Sequence, residues 1–202
     1  MIRDYHRWYS PNLGRDMELM VYGYSGARVI VFPTSQGRYF DWENQGMVDS
    51  MADPIERGYI QLYCVDSVDE ESWYARWKWP GDRAWRQTQY DNYLSREVIP
   101  FPQRNTNPFL VVLGASFGAY QAVTFAFRPP DLVGRVLAMN GLYDISDWTD
   151  GHHDDNVYFN NPVEYVKNEH DHGRLEQMRH MDIILTTSET EPLRGATEYF
   201  SQ

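Results

Sequence analysis

Cysteine, long apolar runs and positive charge are all scarce in this sequence of 202 residues. Cys64 is the only cysteine, so the chain can form neither an intrachain disulfide nor a zinc site built from several cysteines. No apolar run approaches the roughly 20 residues of a membrane-spanning helix, and residues 1–6 are too polar to begin a signal peptide. These absences predict a soluble, cytoplasmic protein.

Acidic residues outnumber basic ones by 29 to 18, which gives a formal net charge of −11 and a pI near 4.9. A surface of this sign repels phosphate backbones and anionic lipid, so neither nucleic acid nor a membrane is an expected partner. The hydrophobic share of 42% and the charged share of 23% are ordinary for a globular domain and exclude intrinsic disorder. The length favours one domain.

Short apolar runs alternate with segments of helical periodicity along the chain. The runs predict strands at residues 17–23, 28–33, 59–65, 109–113, 136–139 and 183–186. The segments between them predict helices at residues 46–57, 90–99, 119–127 and 174–181. This alternation is typical of an α/β fold, with a mostly parallel central sheet and helices on both faces. Reactive side chains are then expected at the carboxyl ends of the strands.

Residues 66–89 are rich in tryptophan and tyrosine, interleaved with arginine and lysine. One interpretation is a long connection whose aromatic side chains pack onto the sheet edge. The other is a substrate-facing loop in which Trp73 and Tyr74 contact the substrate. Arginine stacked on tryptophan suits both, and the acidity of the chain disfavours a third use, the binding of single-stranded nucleic acid.

The segment with the strongest chemical signal is residues 109–122. An apolar strand runs into Gly114-Ala115-Ser116-Phe117-Gly118, and a helical pattern follows at once. This is the order of strand, sharp turn and helix that a nucleophile elbow requires. Ser116 is therefore the predicted nucleophile, and the amide of Phe117, at the start of the helix, is a predicted donor to the oxyanion.

With these motifs, most of the chain resembles the α/β-hydrolases of the esterase-D-like group. Besides the elbow, supporting matches lie at residues 32–42, 65–67, 72–74, 140–144 and 155–162. The resemblance implies an α/β-hydrolase fold and an esterase that uses no cofactor or metal. A single such domain over 1–202 is expected, incomplete at its C-terminal end.

The resemblance also implies a loop that supplies the second oxyanion donor. Members of the group usually carry His-Gly there, whereas this chain has Thr34-Ser35-Gln36-Gly37. A main-chain donor tolerates such a change of side chains, so the N–H of Ser35 or of Gln36 is the expected second donor.

The acid of the catalytic triad is expected after the strand at residues 183–186. There the group's usual Asp-Pro matches Glu191-Pro192, and a glutamate can replace the aspartate. Glu191 is the predicted acid. Glu189, Asp144 and the absence of any acid stay open, as does a simpler role for these carboxylates at the start of a helix.

The triad's base should be a histidine that follows the acid. Residues 193–202 contain none, so the histidine is expected outside these 202 residues. His152 and His153 are expected to be exposed loop residues, with an approach to Ser116 as the alternative. A metal site built from His170, His172 and Asp154 or Asp155 is disfavoured against a solvated polar loop.

The sequence thus predicts hydrolysis of a small-molecule ester through an acyl-enzyme on Ser116. A binding or scaffold protein that keeps the fold without catalysis is one alternative, and an acyltransferase is another. The identity of the ester and the formation of a homo-oligomer both stay open.

Overall fold

A seven-stranded, mostly parallel sheet forms the centre of the protein in the computed structural model, which describes residues 1–101 and 105–202. The strands are β1 Arg3–Ser10, β2 Arg15–Tyr22, β3 Ala27–Phe32, β4 Ile60–Val65, β5 Leu110–Ala115, β6 Arg135–Met139 and β7 Asp182–Thr186. Their order is β1-β2-β4-β3-β5-β6-β7. The strands from β4 to β7 in that order run parallel, and β2 and β1 join antiparallel at one edge.

All six predicted strands are confirmed within two residues at each end. The sequence pattern missed β1, which pairs with β2 from Arg3 against Tyr22 to Ser10 against Arg15. Only Ser10 in this strand is fully buried. An edge strand that is mostly solvated needs no alternation of apolar and polar residues, so it leaves little pattern to read.

Nine α-helices are present in the described ranges. They are α1 Asp41–Asn44, α2 Met47–Ser50, α3 Ala52–Glu56, α4 Pro80–Tyr93, α5 Phe117–Phe127, α6 Asp155–Phe159, α7 Pro162–Tyr165, α8 His172–His180 and α9 Arg194–Phe200. A π-helical turn, Leu94–Val98, continues α4, and short 3₁₀ helices lie at Asp69–Glu71 and Ser146–Trp148. None of these helices combines the length and the apolar character that crossing a bilayer would need.

Two predictions, one about a helix and one about a connection, are wrong. The helix expected at residues 46–57 is broken into α2 and α3, because Pro54 has no N–H to donate to the carbonyl of Ser50. The long connection expected at residues 66–89 ends early, because α4 begins at Pro80. Proline is favoured at the first position of a helix, where its missing N–H costs nothing.

The two faces of the sheet carry separate apolar cores, as the alternation of side chains along β3 shows. Ile30 and Phe32 belong to the core under α4 and α5, while Val29 and Val31 belong to the core under α1, α2 and α3. Helices therefore cover both faces of the sheet, as predicted. All five parallel strands consequently end at the same edge, above which the site lies.

Candidate active site

Ser116 sits in a strained turn between β5 and α5. Its backbone angles are φ 55° and ψ −120°, a left-handed conformation that costs energy in any residue with a side chain. Its own N–H donates to the carbonyl of Met139 at the end of β6, over 2.9 Å. The Ser116 side chain is half-buried. The turn thus projects a serine from the carboxyl edge of the sheet, as a nucleophile elbow requires.

Two glycines allow the backbone to pass closely enough to make this turn. A Cβ on Gly114 would lie 2.0 Å from the carbonyl oxygen of Gly118. A Cβ on Gly118 would lie 2.5 Å from the carbonyl oxygen of Pro33 and 2.8 Å from that of Phe32. The loop that follows β3 therefore packs directly against the first turn of α5.

That loop is the predicted oxyanion loop, and its amides are almost all occupied. The N–H of Thr34 donates to Asp41 Oδ2 over 2.9 Å, and that of Gln36 donates to Asp69 Oδ2 over 2.8 Å. The N–H of Gly37 donates to the carbonyl of Thr34 over 2.8 Å. In the described part of the chain, the N–H of Ser35 has no acceptor. Of the two predicted loop donors, Gln36 is therefore committed to a carboxylate, and Ser35 is the one available.

The other predicted donor, the N–H of Phe117, is the first of α5. The first N–H groups of a helix have no partner within it, and no described residue outside the helix accepts from Phe117. Ser35 and Phe117 lie beyond the ends of the neighbouring parallel strands β3 and β5, where Phe32 pairs with Gly114. The structure thus offers two free amides at the edge that bears Ser116.

Asp69, which holds the amide of Gln36, is 1% exposed. Its other oxygen accepts a hydrogen bond from Gln121 Nε2, on α5, over 3.2 Å. Burial raises the pKa of the Asp69 carboxyl to about 7, although the hydrogen bonds from Gln36 and Gln121 act in the opposite direction. A carboxylate buried this deeply is stable only because each of its oxygens accepts a hydrogen bond.

Three aromatic rings form a wall beside the elbow. The rings of Phe117 and Trp148 stack with their centroids 5.2 Å apart. The Tyr74 ring packs edge-on against both, with centroid distances of 4.7 Å to Trp148 and 5.5 Å to Phe117. Arg76 covers the ring of Trp148 from 4.9 Å. The Tyr74 phenol lies beside the Ser35 hydroxyl, and burial raises the pKa of that phenol. We refer to Tyr74, Phe117 and Trp148 as the aromatic wall.

The aromatic residues of 66–89 divide between the two interpretations offered by the sequence. Tyr74 is half-buried beside the elbow and is available to a substrate. Trp73 is 0% exposed and donates its indole N–H to Tyr120 Oη over 3.0 Å. Substrate contact by Trp73 therefore does not agree with its place in the core, where it supports α5 from behind. Trp77, Trp79 and Trp85 are exposed instead of packing on the sheet edge.

The ends of β6 and β7 are tied together by Asn140. Its N–H donates to the carbonyl of Thr186 over 2.8 Å, and its side-chain oxygen accepts from the N–H of Ser188 over 3.3 Å. Asn140 has φ 49°, which asparagine tolerates better than most residues. The turn that bears Glu191 is thereby connected to the strand edge that also receives the N–H of Ser116.

The three candidate acids differ in their surroundings. Glu191 is half-buried and forms no side-chain hydrogen bond within the described residues, and Glu189 is exposed. Asp144 accepts hydrogen bonds from the N–H and hydroxyl of Ser146 and from Asn161, which lower the pKa of its carboxyl although partial burial acts to raise it. Glu191 keeps a carboxylate that is free to orient a partner, so its assignment as the acid stays a prediction.

None of the six histidines, all of which lie in the described ranges, forms a hydrogen bond with Ser116 or Glu191. His152 Nε2 lies 2.9 Å from Asp154 Oδ2, and the His152 ring packs on that of Trp79. His153 Nε2 lies 3.0 Å from Glu164 Oε2. His170 and His172 are exposed. Within residues 1–101 and 105–202, no group of three or more histidine, cysteine, aspartate or glutamate side chains is arranged to hold a metal ion.

Several residues of the site carry no signal in the sequence. Asp69 stands in the acidic run 69–71, which looks like a solvated surface segment, and Trp148 stands in a polar loop. Asp69 and Gln121 are 52 positions apart, and only the fold brings them together. A buried carboxylate of this kind cannot be distinguished from an exposed one by residue type alone.

We predict that Gly118→Ala will destabilise the protein. The added methyl group would meet the backbone oxygen of Pro33 at 2.5 Å, so the loop or α5 must shift, at a cost of about 1–3 kcal/mol in the free energy of unfolding. Urea denaturation measures this cost. The matched control is Gly195→Ala in α9, where the methyl group meets nothing within 4 Å and should be neutral or stabilising by up to about 1 kcal/mol. Equal stability of Gly118→Ala and the wild type would contradict the close contact.

We also predict that Asp69→Asn will change how stability depends on pH. The pKa of Asp69 is raised to about 7 by folding, so the folded state holds this proton more tightly, and the associated stability is lost as pH rises through about 7. Asparagine removes this effect. The loss of unfolding free energy between pH 5 and pH 8 should be smaller in the variant, on the order of 2 kcal/mol.

Urea denaturation at the two pH values tests this expectation, with the exposed neighbour Glu70→Gln as the control for net charge. Parallel pH profiles for Asp69→Asn and Glu70→Gln would show that Asp69 does not titrate as its burial implies.

Known proteins with this architecture include several esterases. A ferulic acid esterase superposes with a TM-score of 0.78 at 17% sequence identity, and the match covers 100% of this chain and 84% of the esterase chain. The fluorophosphonate-binding serine hydrolase F of Staphylococcus aureus has a TM-score of 0.70 at 12% sequence identity, and the match covers 99% of this chain and 84% of that hydrolase. An S-formylglutathione hydrolase from Agrobacterium tumefaciens has a TM-score of 0.67 at 14% sequence identity, and the match covers 98% of this chain and 91% of that hydrolase. At these identities the likeness shows the α/β-hydrolase fold alone.

Among curated protein sequences, none matches this chain. The Putative esterase family does match, over residues 10–190, which include the elbow, the oxyanion loop and the aromatic wall. The chain belongs to the Putative esterase family.

Proposed function

We propose that the protein is a serine hydrolase that cleaves carboxylic esters through an acyl-enzyme on Ser116. The observation that carries this proposal is the strained backbone of Ser116, with φ 55°, at the carboxyl end of β5. Strain of this kind persists only where the surrounding structure holds it, and it is concentrated at reactive sites. Membership in the Putative esterase family supports the same class of reaction.

In the proposed first step, Ser116 Oγ attacks the carbonyl carbon of the ester. A base accepts the hydroxyl proton as the new C–O bond forms, and the carbonyl electron pair moves onto oxygen. The tetrahedral intermediate then expels the alcohol, which takes the proton from the base. Water repeats the sequence on the acyl-enzyme, releases the carboxylic acid and restores Ser116.

The negative charge on the intermediate is held by the amides of Ser35 and Phe117. Both N–H groups are free of other acceptors in the described part of the chain, and both lie past the ends of adjacent strands. A single donor of this type contributes roughly 3–4 kcal/mol to stabilisation of the transition state in serine hydrolases. Two donors held by the backbone require no reorganisation when the charge develops.

Proton transfer requires a base oriented by an acid. Glu191 is the proposed acid, because it is half-buried, lies in the turn after β7 and has a free carboxylate. Within the described ranges, no histidine forms a hydrogen bond with Glu191. The rate of the proposed reaction depends on that base, because a serine hydroxyl is a weak nucleophile at neutral pH.

The aromatic wall favours a substrate whose acyl group is flat or apolar. Phe117 follows the nucleophile directly, so an acyl chain bound to Ser116 would extend along the rings of Tyr74 and Trp148. Aromatic pairs gain about 0.5–1.5 kcal/mol beyond the burial of their area. We therefore propose aromatic acyl esters as the preferred substrates.

We predict that a fluorophosphonate probe will label the wild type and not Ser116→Ala, because the probe needs a nucleophilic hydroxyl. Intact-mass spectrometry measures the added phosphonyl group. The wild type should also hydrolyse p-nitrophenyl esters at least 100-fold faster than Ser116→Ala. The control is Ser188→Ala, a change at an exposed serine. A wild type that neither labels nor turns over would reject the hydrolase and favour the binding protein.

We predict that Trp148→Ala will discriminate between acyl groups on one leaving group. Loss of the indole should lower kcat/KM for p-nitrophenyl cinnamate about tenfold, which corresponds to about 1.4 kcal/mol, and leave p-nitrophenyl acetate within about twofold. The control is Trp77→Ala, since Trp77 is 78% exposed and lies outside the wall. Equal losses for both esters would show that the wall does not bind the acyl group.

A further inference from the structure

The oxyanion loop is held from both sides by carboxylates. Asp41 Oδ2 accepts from the N–H and the hydroxyl of Thr34, each over 2.9 Å, on one side of Ser35. Asp69 Oδ2 accepts from the N–H of Gln36, over 2.8 Å, on the other side. Ser35 lies between these two anchors, and its N–H alone is left without an acceptor among the amides of 34–37 in the described chain.

The two anchors differ in what they connect. Asp41 begins α1, nine residues after β3, so its contact with Thr34 is local. Asp69 lies beyond β4 and also accepts from Gln121 Nε2 over 3.2 Å. Gln121 stands on α5, five positions after the nucleophile. A single buried carboxylate therefore joins the loop that bears one oxyanion donor to the helix that begins with the other.

The conformation that Asp69 holds is not one the loop would adopt freely. Gln36 has φ 56°, in the left-handed region that disfavours residues with a side chain. The side chain of Gln36 is exposed and does not fix the backbone by packing. The hydrogen bond from its N–H to Asp69 is thus the interaction that compensates for this backbone strain.

Gln121, the partner of Asp69 on α5, is itself held in place by buried contacts. Gln121 is 3% exposed, and its side chain pairs with that of Gln87 on α4, with Gln87 Nε2 2.5 Å from Gln121 Oε1. Gln87 is itself fully buried. Asp69 is consequently the end of a buried polar chain that runs from α4 through α5 to the loop. Fully bonded polar networks of this type fix one arrangement of the groups around them.

We infer that Asp69 is a positioning residue of the oxyanion site, which holds the loop in the conformation that leaves the Ser35 N–H free for the oxyanion. This inference rests on the proposed function of Ser116, since it concerns the stabilisation of charge formed there. Asp69 does not touch the reacting atoms. It acts through the backbone of Gln36, and its loss should affect reaction more than substrate binding.

The first test follows the rate at which a fluorophosphonate labels Ser116, because the phosphoryl oxygen occupies the oxyanion position. Asp69→Ala removes the acceptor, and the labelling rate constant should fall at least tenfold, below the 10²–10³-fold cost of losing a whole donor. Asp69→Asn retains one acceptor oxygen and should recover part of the rate. The control Glu70→Ala changes the net charge equally at the exposed neighbouring position and should stay within twofold.

The second test measures hydrogen exchange at the amide of Gln36 in the same variants. In the wild type this amide should exchange slowly despite the exposed side chain, because it donates to a buried carboxylate. In Asp69→Ala it should exchange at least tenfold faster, while the amides of β5 remain protected. This readout reports the loop directly and needs no catalytic activity.

The outcomes separate the two proposals. Faster exchange at Gln36 with an unchanged labelling rate would overturn the positioning role of Asp69, since the loop would then be released without consequence. Labelling that persists in Ser116→Ala would overturn the proposed function, whatever the result at Asp69. If Asp69→Ala does not fold, Asp69→Asn decides: a labelling rate within twofold of the wild type, together with faster exchange at Gln36, would reject the inference.

Discussion

The close approach of two backbone segments at Gly118 is the constraint on which the rest of the site depends. The carbonyl oxygen of Pro33 lies only 2.5 Å from the position that a Cβ of residue 118 would occupy. Because β3 and β5 are parallel neighbours, this approach brings the loop after one strand against the helix after the other. The serine, the two free amides and the buried carboxylate of Asp69 are all placed relative to that contact.

Several energetically unfavourable features are concentrated at this edge of the sheet. Ser116, Gln36 and Asn140 all have positive φ without being glycine, and Asp69 is a carboxylate removed from water. Each is held by a hydrogen bond that crosses between elements: Ser116 to Met139, Asn140 to Thr186 and Gln36 to Asp69. Strain that is compensated by contacts between strands and loops is stable only in the complete fold.

The elbow and most of the aromatic wall come from different segments of the chain. The backbone at the ends of β3 and β5 supplies the elbow and the free amides, and its close packing requires glycine at positions 114 and 118. In the aromatic wall, Phe117 is the first residue of α5. Tyr74 and Trp148 come from connecting segments, which vary more easily than the sheet does. A main-chain donor explains how Thr34-Ser35-Gln36-Gly37 can stand where the group usually carries His-Gly while the loop still offers a free amide. The donor is in the main chain, and the carboxylates on either side decide which amide is free.

The sequence by itself determined the class of fold, six of the seven strands and the position of the sharp turn between β5 and α5, because apolar periodicity and the Gly-Ala-Ser-Phe-Gly motif are local properties. It could not show that the N–H of Gln36 is bound while that of Ser35 is free, could not place Trp73 in the core and did not indicate that Asp69 is buried. Those answers depend on partners far apart in the chain, such as Asp69 with Gln121 and Gln36, and Trp73 with Tyr120. Only the tertiary structure decided them, because burial and hydrogen-bond partners are properties of the folded arrangement and not of the residue types.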